Sequence, residues 1–279
     1  MAQLDFIQKL LAISGIIIWL IIGYDWITKS ESTKLSLPVK NKIELEHILV
    51  VIFAFLLIAG LLLQAMSSIK LRFTPNEEIN KLAQQILADM IAKTTVLSFM
   101  IYLYIKKIEI HKNVKATNKA NNFIKIALIS TLLYFAIFPA VNVGMFSFGI
   151  YLVRDILGIS INTEHPAFRL LSSSAIGIYP KIMCLILAAI VSPVAEELFF
   201  RGLLQNWILN KTHSLLLSIT LASLGFMIVH IPMYHQLPAL WLLGVILGWA
   251  YWRYGTIYIP IITHIIFNTA TLIMWHLQA

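Results

Sequence analysis

The apolar stretch VSPVAEELFFRG, residues 191–202, carries three ionisable side chains, Glu196, Glu197 and Arg201. Such side chains are costly in apolar surroundings unless they are paired or reached by water, so each is a candidate functional residue. Residues four apart share a face of a helix, which pairs Glu197 with Arg201. Successive helical residues turn by about 100°. Glu196 therefore faces elsewhere, and we expect it to be an unpaired carboxylate.

Pro193 lies three residues before the first glutamate. Proline has no backbone N–H, so in an α-helix it leaves the carbonyl of Ala189 without its usual donor. We therefore expect a local irregularity beside the glutamates, where water can reach them.

Two further polar patterns follow along the chain. GFMIVHIP places Phe226 and His230 four residues apart, and THIIFNTA does the same for His264 and Asn268. Each pair is therefore expected on one helical face. An antiparallel hairpin turning at NKTH puts Glu196 and His230 within ~5 Å of the same level, at about 1.5 Å per residue. The same count puts His264 only roughly 12 Å deep, nearer the membrane surface.

The elements that carry these residues are predicted to be transmembrane helices. Of 279 residues, 59% are apolar and 12% are charged, and the mean hydropathy is +0.83, which excludes an ordinary soluble domain. A bilayer core about 30 Å thick needs roughly 20 apolar residues per helix. The predicted fold class is an all-α, polytopic transmembrane helical bundle. Its helices number about eight, near residues 8–24, 46–66, 86–105, 123–152, 177–209, 213–232, 237–252 and 257–276.

The chain divides into three predicted regions: residues 1–122 with about three helices, residues 123–173 with a fourth helix and an irregular loop, and residues 174–279 with all three polar patterns. Twelve lysines and arginines lie in loops after the odd-numbered helices, and seven lie on the opposite side, where the N-terminus and the loops after the even-numbered helices are expected. The positive-inside rule then places loop 106–122 in the cytoplasm. Contact with anionic lipid accounts for the net charge of +8. The sequence has no basic face with interleaved aromatic residues, so we expect no nucleic-acid binding.

The three patterns resemble the signatures of a known family. EELFFRG matches EExxxR, FMIVH matches FxxxH and HIIFN matches HxxxN, in the order found in the CPBP family of intramembrane proteases, which includes CAAX prenyl endopeptidases and bacteriocin-processing enzymes. The resemblance covers about Ser174 to His276, so it makes residues 174–279 the catalytic domain, and the N-terminal region is variable in this family. It implies a multi-pass protein, expected in the cell membrane, that cleaves a membrane-associated or lipid-modified peptide or protein.

The resemblance also implies a role for each polar residue. Water activation falls on Glu196 and His230, and stabilisation of the oxyanion falls on His264 and Asn268. Peptide hydrolysis needs a base near the water and donors aimed at the developing oxyanion, and this set supplies both without serine or cysteine. Supporting roles fall on Glu197, Arg201 and Phe226.

Metal dependence has two interpretations. A catalytic zinc usually takes three protein ligands and a water, and Glu196, His230 and His264 could supply those ligands. The sequence has no HExxH pattern, and Asn268 suits an oxyanion contact better than zinc binding. We therefore expect no obligatory cofactor, with zinc as the alternative.

Two other function classes compete with the protease. One is a non-catalytic bacteriocin-immunity or scaffold membrane protein of the same fold, which replacement of Glu196 would distinguish. The other is an ion-coupled transporter, which predicts two halves with matching broken helices. The sequence shows no such symmetry.

Overall fold

The computed structural model describes residues 39–41, 43–110, 119–161, 166–231 and 233–278, together with scattered residues between Phe6 and Tyr24. Those scattered residues are helical, and the rest of the predicted first helix, 8–24, lies outside the described residues. So does the central part of the predicted cytoplasmic loop, 111–118.

The described chain is helical apart from two short strands. The strands β1 (Val39–Asn41) and β2 (Ile108–Ile110) form an antiparallel pair. Six helices are regular along their length: α1 (Leu45–Ser68), α2 (Glu77–Lys107), α4 (Pro166–Ser172), α6 (Leu215–Ile228), α7 (Leu237–Tyr254) and α8 (Tyr258–Gln278). The protein is thus an all-α polytopic bundle, as predicted.

Two long helices, α3 and α5, alternate between α-helical and π-helical geometry. The segments of α3 are Lys119–Phe138, Pro139–Met145 (π), Phe146–Ile150 and Tyr151–Ile156 (π). The segments of α5 are Ile178–Ile186, Leu187–Val191 (π), Ser192–Glu197, Leu198–Gln205 (π) and Asn206–Thr212. The irregularity expected from Pro193 is therefore present, and the two glutamates lie between π-helical segments, a geometry common at functional sites.

Five of the described helices are long and apolar enough to cross a membrane: α1, α2, α3, α5 and α8. Helices α6 and α7, which were also predicted as spans, are not among these five. Helix α6 has 14 residues and rises about 21 Å, which is less than the roughly 30 Å hydrocarbon core. Helix α7 has 18 residues but ends in the polar-aromatic run WAYWRY.

The outward faces of the long helices are apolar. Large side chains such as Phe53 and Leu56 on α1 and Leu132 and Phe135 on α3 are more than half exposed. In water such continuous apolar faces would be unfavourable, whereas lipid tails solvate them. The protein is therefore an integral membrane protein.

Helix α7 packs at the centre of the C-terminal half. Its glycines Gly244 and Gly248 lie so close to their neighbours that an added Cβ would come 2.9 Å from Ser223 Cβ and 2.8 Å from Gln205 Oε1, respectively. Small residues four apart allow helices to approach closely in membranes. This approach brings backbone carbonyls of α7 within hydrogen-bonding distance of side chains on α5.

Candidate active site

The four residues predicted to be catalytic line one cavity of about 670 Å³ inside the bundle. Glu196 comes from α5, His230 from the turn after α6, and His264 and Asn268 from α8. The antiparallel hairpin that brings α5 and α6 together turns at His213, which has a left-handed backbone (φ 52°). Sequence motifs that are far apart in the chain are therefore assembled around one space.

A buried ionic cluster lies behind this cavity. Arg201 Nη1 donates to Glu197 Oε1 at 2.6 Å, and Arg201 Nη2 donates to the carbonyl of Gly244 at 3.1 Å. The guanidinium also lies 4.9 Å from the centre of the Phe226 ring, which adds a cation–π contact. The side chains of Glu197 and Arg201 are 0% and 1% exposed, so the predicted pair is fully buried.

His264 joins this cluster to the cavity. Its Nδ1 lies 2.8 Å from Glu197 Oε1, and because an ionised carboxylate only accepts hydrogen bonds, Nδ1 carries the hydrogen. Its Nε2 then faces Glu196 Oε2 at 3.9 Å. A count along straight helices placed His264 nearer the membrane surface, so tilt or a turn was required to bring it to the glutamates, and its contacts put it at their level. Glu197 thus orients both Arg201 and His264.

Glu196 is less isolated than predicted. Lys93 Nζ lies 3.8 Å from Glu196 Oε1, on the side opposite the 3.9 Å approach of His264. Both distances are too long for direct hydrogen bonds, and each leaves room for a bridging water. The side chain is 17% exposed and faces the cavity. Glu196 is therefore placed to bind and polarise a water.

His230 has one ring nitrogen free for chemistry. Helix α6 ends at Ile228, earlier than the predicted 232, in keeping with the tendency of helices to end before a proline such as Pro232. Nδ1 of His230 lies 2.8 Å from the carbonyl of Phe226 and donates to it, since a carbonyl only accepts. In the neutral imidazole, Nε2 is then available as a proton acceptor.

Asn268 contacts the backbone of α5. Its Nδ2 donates to the carbonyl of Ala188 at 3.0 Å, within the π-helical segment Leu187–Val191. In π-helical geometry a carbonyl is bonded by the N–H five residues later, which for Ala188 would be the absent N–H of Pro193. Asn268 thus supplies the donor that the proline lacks. The second amide hydrogen of Asn268 remains available for a ligand in the cavity.

Analysis of the sequence missed Lys93 and its two partners. Lys93 Nζ lies 2.9 Å from Asp89 Oδ2 and donates to Ser192 Oγ at 2.8 Å, and all three residues line the cavity. A signal was available, because Asp89 and Lys93 are four residues apart and are the only charged residues in the predicted span 86–105.

The zinc alternative requires three ligands around one point. Within the described part of the chain, no group of three histidine, cysteine, aspartate or glutamate side chains is arranged to hold a metal ion. Glu196, His230 and His264 line the same cavity without forming such a group, so the arrangement supports no step through a metal.

Comparison with known families adds an independent observation. Residues 178–270 match the family model described as "Type II CAAX prenyl endopeptidase Rce1-like". Over these residues the chain is similar to type II CAAX prenyl endopeptidases. No curated protein and no solved structure matches the chain.

The match to the CAAX protease family runs from the start of α5 into α8, so it contains all four predicted catalytic residues. Helix α2, which supplies Lys93 to the cavity, lies outside it. The similarity to proteases therefore concerns the C-terminal region, whereas the N-terminal region adds contacts of its own to the same cavity.

Proposed function

We propose that this protein is an intramembrane endopeptidase that hydrolyses a peptide bond in a membrane-associated or lipid-modified peptide or protein. The observation that carries the proposal is the shared cavity, in which Glu196, His230, His264 and Asn268 meet between membrane-spanning helices. The family match supports a protease of the CAAX type. The test is cleavage of an internally quenched peptide with a farnesylated cysteine by purified protein, compared with the Glu196→Gln variant.

In this mechanism Glu196 and His230 activate a water bound between them. The carboxylate of Glu196 or Nε2 of His230 accepts a proton as the water oxygen attacks the carbonyl carbon of the scissile bond. The carbonyl oxygen becomes an oxyanion in a tetrahedral intermediate. When the C–N bond breaks, the same group returns the proton to the leaving nitrogen, so that one water yields a carboxylic acid and an amine.

The oxyanion is stabilised by donors from α8. Asn268 offers the amide hydrogen that Ala188 does not use. His264 offers Nε2, which carries a hydrogen in the imidazolium form, because its Nδ1 hydrogen is committed to Glu197. Fixed donors of this kind stabilise developing charge without reorganising during the reaction. Glu197, Arg201 and Phe226 act by holding His264 in place.

Activity is expected to survive removal of metal. Exhaustive chelation of the purified enzyme should leave cleavage of the farnesylated peptide unchanged, since Glu196 and His230 suffice to activate the water. Elemental analysis of the same active preparation provides the second measurement. Stoichiometric zinc whose removal stops cleavage and whose return restores it would instead establish the zinc alternative.

We further propose that the protein lies in the cell membrane with loop 106–122 on the cytoplasmic side. The single cysteine, Cys184, is buried, so an introduced cysteine can be labelled against a low background. A cysteine at Asn118 should react with a membrane-impermeant thiol reagent only after the cells are opened. A cysteine at Arg72, across helix α2, should react in intact cells. Labelling of Asn118→Cys from outside would reverse the orientation, and equal labelling of both would contradict a crossing by α2.

A further inference from the structure

The Lys93 ammonium is fixed at the junction of α2 and α5. Asp89 lies one turn before it on α2, with Oδ2 at 2.9 Å from Nζ, and Ser192 accepts its hydrogen bond at 2.8 Å from α5. Ser192 itself lies one turn before Glu196. The ammonium is therefore tied to both helices at the level of the glutamate, and it lies 3.8 Å from Glu196 Oε1.

Charge balance in the cavity depends on this lysine. Two acidic residues, Asp89 and Glu196, line the cavity. Among the described residues that line it, Lys93 is the single lysine or arginine. Arg201 does not line the cavity, and its guanidinium is bonded to Glu197 and to the Gly244 carbonyl. Lys93 is thus the cation that faces the Glu196 carboxylate from within the cavity.

We propose that Lys93 is a positioning residue for Glu196, contributed by the region outside the family match. This inference rests on the proposed function. The ammonium attracts Glu196 Oε1 electrostatically across 3.8 Å, so that Oε2 is turned to the water and to His264. Because Lys93 is already bonded to Asp89 and Ser192, it acts on the carboxylate and does not bind the substrate.

The expected effect of Lys93→Met is therefore on turnover. Misplacement of a reacting group by about 1 Å can cost roughly 100-fold in rate, and we expect kcat for the farnesylated quenched peptide to fall by about that factor. KM should stay within about threefold of the wild-type value, since binding and positioning contributions separate in this way. Lys93→Arg, which keeps a cation at this place, should recover at least about a tenth of the lost activity.

A purely structural role for the Asp89–Lys93 pair is tested by a matched double variant. Lys93→Met alone leaves Asp89 without its partner, which can destabilise the fold. Asp89→Asn combined with Lys93→Met removes both charges and should melt close to the wild-type temperature. If Lys93 positions Glu196, the double variant stays slow, with a kcat close to that of Lys93→Met.

The outcomes separate this inference from the proposed function. A double variant with wild-type kcat, or a Lys93→Met protein that differs only in KM or in melting temperature, overturns the role of Lys93 while leaving the protease intact. If Lys93→Met does not fold, the kcat of the double variant decides. Failure of the wild-type protein to cleave any peptide, or cleavage by Glu196→Gln at the wild-type rate, overturns the proposed function and this inference with it.

Discussion

Glu196→Gln is expected to reduce kcat by about 10²–10⁴-fold, the usual contribution of a general acid or base, and so to abolish measurable cleavage. Glutamine has nearly the same shape as glutamate but cannot accept the proton of the attacking water. Cleavage of the farnesylated quenched peptide by purified protein is the measurement. Retained cleavage would show that the mechanism is wrong.

The same variant should remain folded and inserted. Glu196 is partly exposed to the cavity, and its two charged neighbours lie 3.8 and 3.9 Å away, so the substitution breaks no direct hydrogen bond to them. Lys93 keeps its contacts with Asp89 and Ser192. A matched control is Glu44→Gln. Glu44 pairs with Lys211 outside the cavity, so the loss of this pair should leave kcat unchanged. A non-catalytic immunity or scaffold protein would keep its biological function in both variants.

Local patterns in the sequence predicted the helices well. Apolar composition and helical periodicity are local properties, so they located the fourth helix closely. It was predicted at 123–152 and ends four residues later, at Ile156. The Glu197–Arg201 contact was predictable for the same reason, because both residues lie on one helix. Whether α6 and α7 cross the membrane was less predictable. Helices that are too short or too polar to face lipid alone can still be accommodated when neighbouring helices surround them.

Contacts between distant helices could not be predicted from spacing. The approach of Lys93 to Glu196 depends on how α2 packs against α5, and no pattern within either helix specifies that packing. The level of His264 could not be fixed by counting residues, because π-helical segments change the rise along α5. Likewise, Pro193 indicated that the carbonyl of Ala189 would lack its donor. In the π-helical register the carbonyl is that of Ala188, and Asn268 donates to it.

The stability of the site depends on the buried pair of Glu197 and Arg201. Glu197 Oε1 receives hydrogen bonds from both Arg201 and His264, while its Oε2 has no partner within the described residues. A buried carboxylate that loses its cation keeps the full cost of its desolvation, and removal of one member of such a pair typically costs about 3–5 kcal/mol. The arginine also bonds the Gly244 carbonyl, so its loss loosens the packing of α5 against α7.

Arg201→Ala is therefore expected to lower the free energy of unfolding by roughly 3–5 kcal/mol and to reduce activity as well. Thermal melting of the purified protein and peptide cleavage are the two measurements. Glu197→Leu combined with Arg201→Met removes both charges, and since buried ion pairs are often replaceable by apolar residues, it should recover much of the melting temperature. Its activity should stay low, because His264 has lost the acceptor for its Nδ1 hydrogen and is no longer held toward Glu196. Unchanged melting of Arg201→Ala would contradict the buried pair, and full activity of the double variant would show that Glu197 does not orient His264.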